Sequence, residues 1–205
     1  MPCETVAPRR DLPYNTVMDT SICYIVTGCT GYVGNVLTKK LLAEGCRVRG
    51  LARSREKAAR IFGDSAPELV FGDISDSAAL DALFAGEGPF VVIHTIAKVT
   101  IGEGSKKELH AVTVDGTRAI VEMCVERGAK LLQVSSTEAL GGVFDENVTY
   151  RPDPARCDTD YARAKAEADR LALDAVHTRG LDASILLLSS VLGPGDYSNS
   201  HMTQM

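Results

Sequence analysis

Three glycines, Gly28, Gly31 and Gly34, stand three residues apart between a short apolar run and a segment patterned as a helix. The run Ile22-Cys-Tyr-Ile-Val26 is β-branched and aromatic, as a buried strand requires. Beyond the glycines, Val36, Leu37, Leu41 and Leu42 recur at helical spacing. Strand, glycine turn and helix together open a nucleotide-binding βαβ unit. Gly28 lets the chain turn sharply and Gly31 lets backbone amides approach a pyrophosphate. Gly34 lets the helix lie close to the strand, and the helix N-terminus adds partial positive charge. The spacing is Gly-x-x-Gly-x-x-Gly rather than the Gly-x-Gly-x-x-Gly of the common dinucleotide fingerprint, so the flanking strand and helix carry the reading.

The rest of the chain keeps the same alternation. Strands are expected at 48–52, 68–71, 90–95, 130–135 and 183–188, and helices at 56–62, 76–84, 105–127 and 161–179. Asp76 is expected as a cap, and Gly128 and Gly180 as helix stops. Strands alternating with helices predict an α/β fold, a doubly wound parallel sheet in three αβα layers, with ligands beyond the carboxyl ends of the strands. Residues 1–20, with three prolines and no periodicity, read as an extension, with Met18 an alternative start; residues 21–205 form the single domain. Residues 141–160 read as a long functional loop.

Charge narrows the partners. Lys and Arg total 22 against 27 Asp and Glu, a net charge of −5, which gives no electrostatic footprint for nucleic acid. No apolar run approaches the roughly 20 residues of a membrane span. The six cysteines lack metal-ligand spacing, and several sit in apolar segments as small hydrophobes, so a reducing cytoplasm and no metal are expected.

Chemistry concentrates at two places. Tyr161-Ala-Arg-Ala-Lys165 puts a phenol and an ammonium on one helix face, one turn apart. The ammonium is expected to lower the phenol's pKa, leaving a group that gives or takes a proton near neutrality. A surface tyrosine over a lysine stem would show the same spacing. Ser135-Ser136-Thr137 ends the fifth strand, where hydroxyls hold a carbonyl oxygen or merely cap their own turn. At the end of the second strand an NAD-binding protein tends to place an acid, yet no acid precedes Glu56. Arg53, with Ser54 and Lys57 beside it, is suited to a 2′-phosphate, the alternative being an exposed strand-end arginine.

Seven pieces in order resemble the extended branch of the short-chain dehydrogenase/reductase superfamily, over about residues 22–196. They are Thr27-Gly28-x-x-Gly31-x-x-Gly34, Gly72-Asp73-Ile74-Ser75-Asp76, His94-Thr95-Ile96-Ala97, Val114-Asp115-Gly116-Thr117, Ser135-Ser136-Thr137-Glu138, Tyr161-x-x-x-Lys165 and Gly193-Pro194-Gly195-Asp196. Within the branch, residues 92–99 and 136–142 look most like dihydroflavonol-reductase-like and 3β-hydroxysteroid-dehydrogenase-like members. The resemblance implies a Rossmann fold, with Tyr161 as general acid/base, Lys165 tuning it and binding ribose, and Ser136 holding the substrate oxygen. Ser136 is preferred to its neighbours because it lies five residues before Gly141. For the cofactor the resemblance implies Gly28, Thr30, Gly31, Tyr32, Val33, Gly34, Thr95 and Ala97, with Asp73 and Ile74 against adenine.

The expected activity is hydride transfer to or from a small carbonyl or secondary-alcohol substrate, with NADP preferred over NAD and a homodimer as the assembly. A nucleotide-sugar epimerase or dehydratase using NAD, or a non-catalytic dinucleotide-binding protein, are the alternatives. Thr113 stands where the branch often has Asn in a water relay to Lys165, and Leu187-Leu188 where Arg-Pro is common. The chain also ends at Met205, about where the branch's substrate lobe begins, so it is expected to bind dinucleotide and turn over substrate poorly.

Overall fold

The computed structural model describes residues 18–98, 105–142 and 149–197. Residues 1–17 of the expected extension, with Cys3, lie outside the described residues, as do 143–148 of the expected loop and the end from 198 onward.

Six strands, β1 (Cys23–Thr27), β2 (Arg47–Ala52), β3 (Glu68–Phe71), β4 (Phe90–His94), β5 (Lys130–Ser136) and β6 (Ala183–Leu188), form one parallel sheet in the order β3-β2-β1-β4-β5-β6. The helices are α1 (Tyr32–Ala43), α2 (Arg55–Phe62), α3 (Ser77–Leu83), α4 (Lys106–His110), α5 (Gly116–Arg127) and α6 (Asp160–Arg179). The expected doubly wound sheet is therefore present. Register aligns the strand ends: Thr27 lies opposite Leu51 and His94, and Ser136 opposite Leu188. Every strand thus delivers its carboxyl end to one edge, where the chain reverses order between β1 and β4.

Alternation along each strand feeds two cores. Cys23 and Ile25 join Leu51, Phe84, Val92, Ile120 and Leu131 on one face. Tyr24 and Val26 join Leu41, Val48, Ile61 and Val134 on the other. Both faces are covered, so β1 is buried at all five residues, and each such large side chain contributes about 1.5–3 kcal/mol. Arg49, inside β2, stays charged by donating to the carbonyls of Leu83 and Ala85 at the end of α3 (2.9 and 2.8 Å), and it pairs with Glu68 at the sheet margin.

Helix boundaries follow local chemistry. Ser54, Asp76, Ser105 and Thr159 each accept from a backbone amide in the turn they begin. Gly128 and Gly180 end α5 and α6 in the left-handed conformation. The expected single helix over 105–127 differs in one respect: a π turn at Ala111–Asp115 joins α4 to α5. The wider turn moves the buried stripe round by a residue. Thr113 and Val114 go inside, while Val112 sits at the rim. The expected loop over 141–160 carries a 3-10 turn at Pro154–Arg156.

Five cysteines, Cys23, Cys29, Cys46, Cys124 and Cys157, are buried and unpaired. No helix among the described residues is long and apolar enough to cross a membrane.

Candidate active site

The turn after β1 is built by its glycines. Gly28 has φ +70°, which only glycine adopts without strain, and its carbonyl accepts from the Gly31 amide at 2.8 Å. A Cβ on Gly34 would stand 2.2 Å from that same carbonyl oxygen. The first turn of α1 is thus pressed against the strand end, and no side chain caps it. Its leading amides are among the unsatisfied donors every helix start presents.

Two neighbouring cavities lie along this edge. The first, about 340 Å³, runs from Gly28, Thr30 and Gly31 past Arg53, Lys57, Asp73 and Ile74 to Thr95 and Ala97. The second, about 460 Å³, shares Gly31, Thr95 and Ala97 and continues over Tyr32, Val33 and Gly34 to Ser136, Tyr161 and Lys165. Apart from Ser54, the residues assigned above to cofactor and catalysis line one cavity or the other. Leu188, Ser189, Val191 and Asp196 close the far side of the second, and the loop carrying Lys98 closes the first, where Lys98 pairs with Glu108 of α4.

At the outer end, Arg53 is 74% exposed, with its guanidinium 3.8 Å from the Asp73 carboxylate, a pair too exposed to contribute much. Burial alone would raise the Asp73 carboxyl, but hydrogen bonds from the Ser75 amide and hydroxyl, with the Arg53 charge, hold it below its ordinary value. Ser54 accepts from the Lys57 amide, so the expected helper also caps α2.

At the inner end, Tyr161 sits in the first turn of α6, opposite the end of β5. Ser136 accepts from the Glu138 amide at 3.2 Å, so it caps its turn and also stands beside the phenol. Ser135 is turned inward, donating to Asp169 at 2.5 Å, and Thr137 opens the 3-10 turn Thr137–Leu140 without lining either cavity. Lys165 is 2% exposed and donates to the Val134 carbonyl at 2.6 Å.

One expectation is corrected here. Lys165 was to lower the Tyr161 phenol, yet the phenol lies above its ordinary value. Burial is the main cause, the Glu138 and Asp169 charges add to it, and the Ser136 hydroxyl opposes it. The ammonium is engaged by the Val134 carbonyl, and burial pushes its own pKa down to about 8 despite the nearby Asp169.

Behind the site, His94 is fully buried, its Nδ1 2.6 Å from the Thr27 hydroxyl and its Nε2 3.1 Å from that of Thr117. Thr117 donates to the Thr113 carbonyl, and the Thr113 hydroxyl accepts from the Lys98 amide. Thr113 therefore anchors the loop at the cavity rim. Burial pushes the His94 pKa down to about 3, against an ordinary 6.5, with the Lys165 charge acting in the same sense. The imidazole's contribution to stability is fully present above pH 6.5. As pH falls, the unfolded chain takes up a proton that the folded chain refuses, and about 1.4 kcal/mol is lost per pH unit toward pH 3. Urea unfolding at pH 7 and pH 5 should show about 2 kcal/mol more loss in the wild type than in His94→Asn. An equal pH dependence in both would remove His94 as the cause.

Asp169 and Tyr150 belong to the site and were missed by motif reading. The available signal was an acid four residues beyond Lys165 on the stripe Ala162, Ala166, Ala172 of α6, all of them buried.

A parallel sheet in this order, with a glycine turn and a Ser–Tyr–Lys cluster at its carboxyl edge, defines a dinucleotide-binding domain of the dehydrogenase type. The chain belongs to the NAD dependent epimerase/dehydratase family, whose model matches residues 24–205. It is 36% identical over 184 residues to sterol demethylase protein B of Methylococcus capsulatus, covering 86% of this chain and 53% of that protein. Against 3 beta-hydroxysteroid dehydrogenase type 7 of Mus musculus it is 29% identical over 202 residues, covering 88% and 52%. Other relatives are named as reductases and epimerases. Among solved structures, that of gox2253 superposes with a TM-score of 0.76 at 26% identity, over 90% of this chain and 56% of that one. The chain spans about half the length of the curated relatives it matches.

Proposed function

We propose that this protein is an NADP-dependent oxidoreductase, dihydroflavonol-reductase-like, that interconverts a carbonyl and a secondary alcohol on a small organic substrate. The observation that carries the reading is that the two cavities share Gly31, Thr95 and Ala97, with Arg53 at one end and Ser136, Tyr161 and Lys165 at the other. The residues present fit a dinucleotide: the Gly28–Gly34 contact brings the start of α1 against the strand end with no room for a side chain between them, and that start is uncapped. A nicotinamide dinucleotide bound there supplies the hydride.

The chain's own residues do the rest. Ser136 donates to the substrate oxygen and fixes its direction. Tyr161 gives that oxygen its proton when a carbonyl is reduced and takes it back when an alcohol is oxidised. A phenol held above its ordinary pKa by burial keeps its proton until that oxygen gains negative charge. Lys165 sits one turn away as the cation that favours the phenolate formed during reduction, and Thr95 and Ala97 wall the channel. Val33, Leu188 and Val191 supply apolar surface. That lining suits an uncharged substrate with an apolar body better than a phosphorylated one, consistent with two relatives named for sterol and steroid chemistry.

The expected result is that the wild type binds NADP more tightly than NAD and that Arg53→Ala loses most of the preference. A charge-assisted bond of this kind contributes roughly 1.5–3 kcal/mol, about 10–150-fold in affinity. Titration calorimetry with both dinucleotides checks it, followed by a hydride-transfer assay over a carbonyl panel. Equal affinities in the wild type would sink the 2′-phosphate assignment. The second reading, a nucleotide-sugar epimerase or dehydratase, is favoured by the epimerase names among the relatives. Its mark would be NAD retained through purification and no net turnover of added NADPH.

A further inference from the structure

Among the described residues, the one buried carboxylate near Tyr161 and Lys165 has no part in the chemistry just described. Asp169 is fully buried on α6, one helical turn beyond Lys165. Its Oδ2 accepts from the Ser135 hydroxyl at 2.5 Å and from the Tyr150 hydroxyl at 2.8 Å. Beside it lies the side-chain amide of fully buried Gln133 on β5, which acts on the carboxyl in the same sense as the two hydroxyls. Ser135 belongs to the strand end that presents Ser136. Tyr150 belongs to the segment that leads to α6, and its ring packs against Ala139, Cys157, Ala162 and Ala166. One carboxylate thus fastens three pieces: the strand end, the segment ahead of α6, and the helix face that carries Lys165.

Isolated charges do not survive burial unless paired or hydrogen-bonded. Among the described residues Lys165 has a single hydrogen bond, to a neutral carbonyl, and Asp169, one turn further along the same helix face and outside direct ion-pair contact, is the buried carboxylate that acts on it. We infer that Asp169 is a positioning residue for Lys165: its carboxylate keeps the ammonium charged beneath Tyr161 while Ser135 and Tyr150 hold that carboxylate in place. This rests on the reading of Tyr161 and Lys165 as the proton-transfer pair. The titratable groups around the pair are Tyr161 on α6, Tyr150 and Cys157 from the segment before it, Glu138 from the 3-10 turn and His94 from β4. His94, pushed down to about 3, is neutral at neutral pH, and burial pushes the Tyr150 and Cys157 protons to higher pH, so the other carboxylates nearby are Glu138 and, across the second cavity, Asp196. Burial raises the Asp169 carboxyl, and the bonds from Ser135 and Tyr150 and the Lys165 charge oppose the rise.

The test reads Lys165 directly, without substrate or cofactor. The chain is labelled with [ε-13C]lysine, and the Lys165 signal, assigned by its loss in Lys165→Met, is followed through a pH titration. The wild-type signal should titrate near pH 8. In Asp169→Asn the midpoint should fall by roughly one unit or more, and Asp169→Glu should restore most of it. A merely structural role would lower the melting temperature of Asp169→Asn and leave the midpoint where it was, which would overturn the inference. Should Asp169→Asn fail to fold, the reciprocal measurement decides. Lys165→Met should raise the midpoint of the Asp169 carboxyl carbon by a similar amount, and an unmoved midpoint overturns the inference equally. Neither measurement depends on turnover, so failure here is distinct from failure of the proposed reaction.

Discussion

Replacing Tyr161 by phenylalanine is expected to lower hydride-transfer turnover by roughly 10²–10⁴-fold, the usual contribution of a positioned acid/base. The ring packs against the cluster of Leu109, Val114 and Ala164, and phenylalanine keeps that packing, so the fold should be retained. Dinucleotide affinity should change little, because the glycine turn, Arg53, Asp73 and Lys165 are all untouched. The phenol's environment sharpens the expectation. Burial and Glu138 hold it above its ordinary value, so the proton lost in the variant is one the wild type carries throughout the neutral range. Lys165→Ala should behave differently and damage both affinity and turnover, since it is assigned both ribose and phenol. Single-turnover hydride transfer alongside calorimetric affinity separates the two cases. Near-normal turnover in Tyr161→Phe would remove Tyr161 from the mechanism.

What was legible in the sequence was whatever local chemistry dictates. The glycine turn is a matter of backbone freedom at Gly28 and close approach at Gly34, and both needs are met within eight residues. The caps at Asp76, Gly128 and Gly180 are equally local. Tyr161 and Lys165 could be paired because helical spacing fixes their face. The π turn at Ala111–Asp115 was hidden because the apolar stripe over 105–127 reads the same with or without one extra residue in a turn. Lys165's bond to the Val134 carbonyl was hidden for a different reason: it joins residues 31 apart, and no pattern announces which carbonyl a buried ammonium will find. The sign of the Tyr161 shift was hidden as well, because burial of the phenol in the folded chain, with Glu138 nearby, sets it. Asp169 is the intermediate case, visible as an acid on a buried stripe, with partners Ser135 and Tyr150 that only the folded chain brings together.

The Gly34→Val variant is expected to lose both dinucleotide binding and a large part of its stability. Helix propensity alone gives no such expectation: glycine is the poorer helix former, and valine at an interior position would be neutral to slightly favourable by a few tenths of a kcal/mol. Space decides instead. The first side-chain atom would lie 2.2 Å from the Gly28 carbonyl oxygen, 2.9 Å from its carbon and 3.0 Å from the Thr95 hydroxyl, and valine adds two methyl groups beyond it. Neither neighbour yields easily. The Gly28 carbonyl is held by the Gly31 amide, and the Thr95 hydroxyl donates to the Thr27 carbonyl at 2.7 Å. Relief requires α1 to move off the strand, opening the cores around Leu41, at about 1–3 kcal/mol or more for overpacking of this kind. The same movement carries the first-turn amides away from the cavity, so affinity should fall further than stability. Lys40→Val, on the exposed face of the same helix, places a valine in α1 away from the Gly28 contact. Urea unfolding and calorimetry on the three proteins decide it. A Gly34→Val chain that melts and binds like Lys40→Val would show that α1 does not depend on its contact with Gly28.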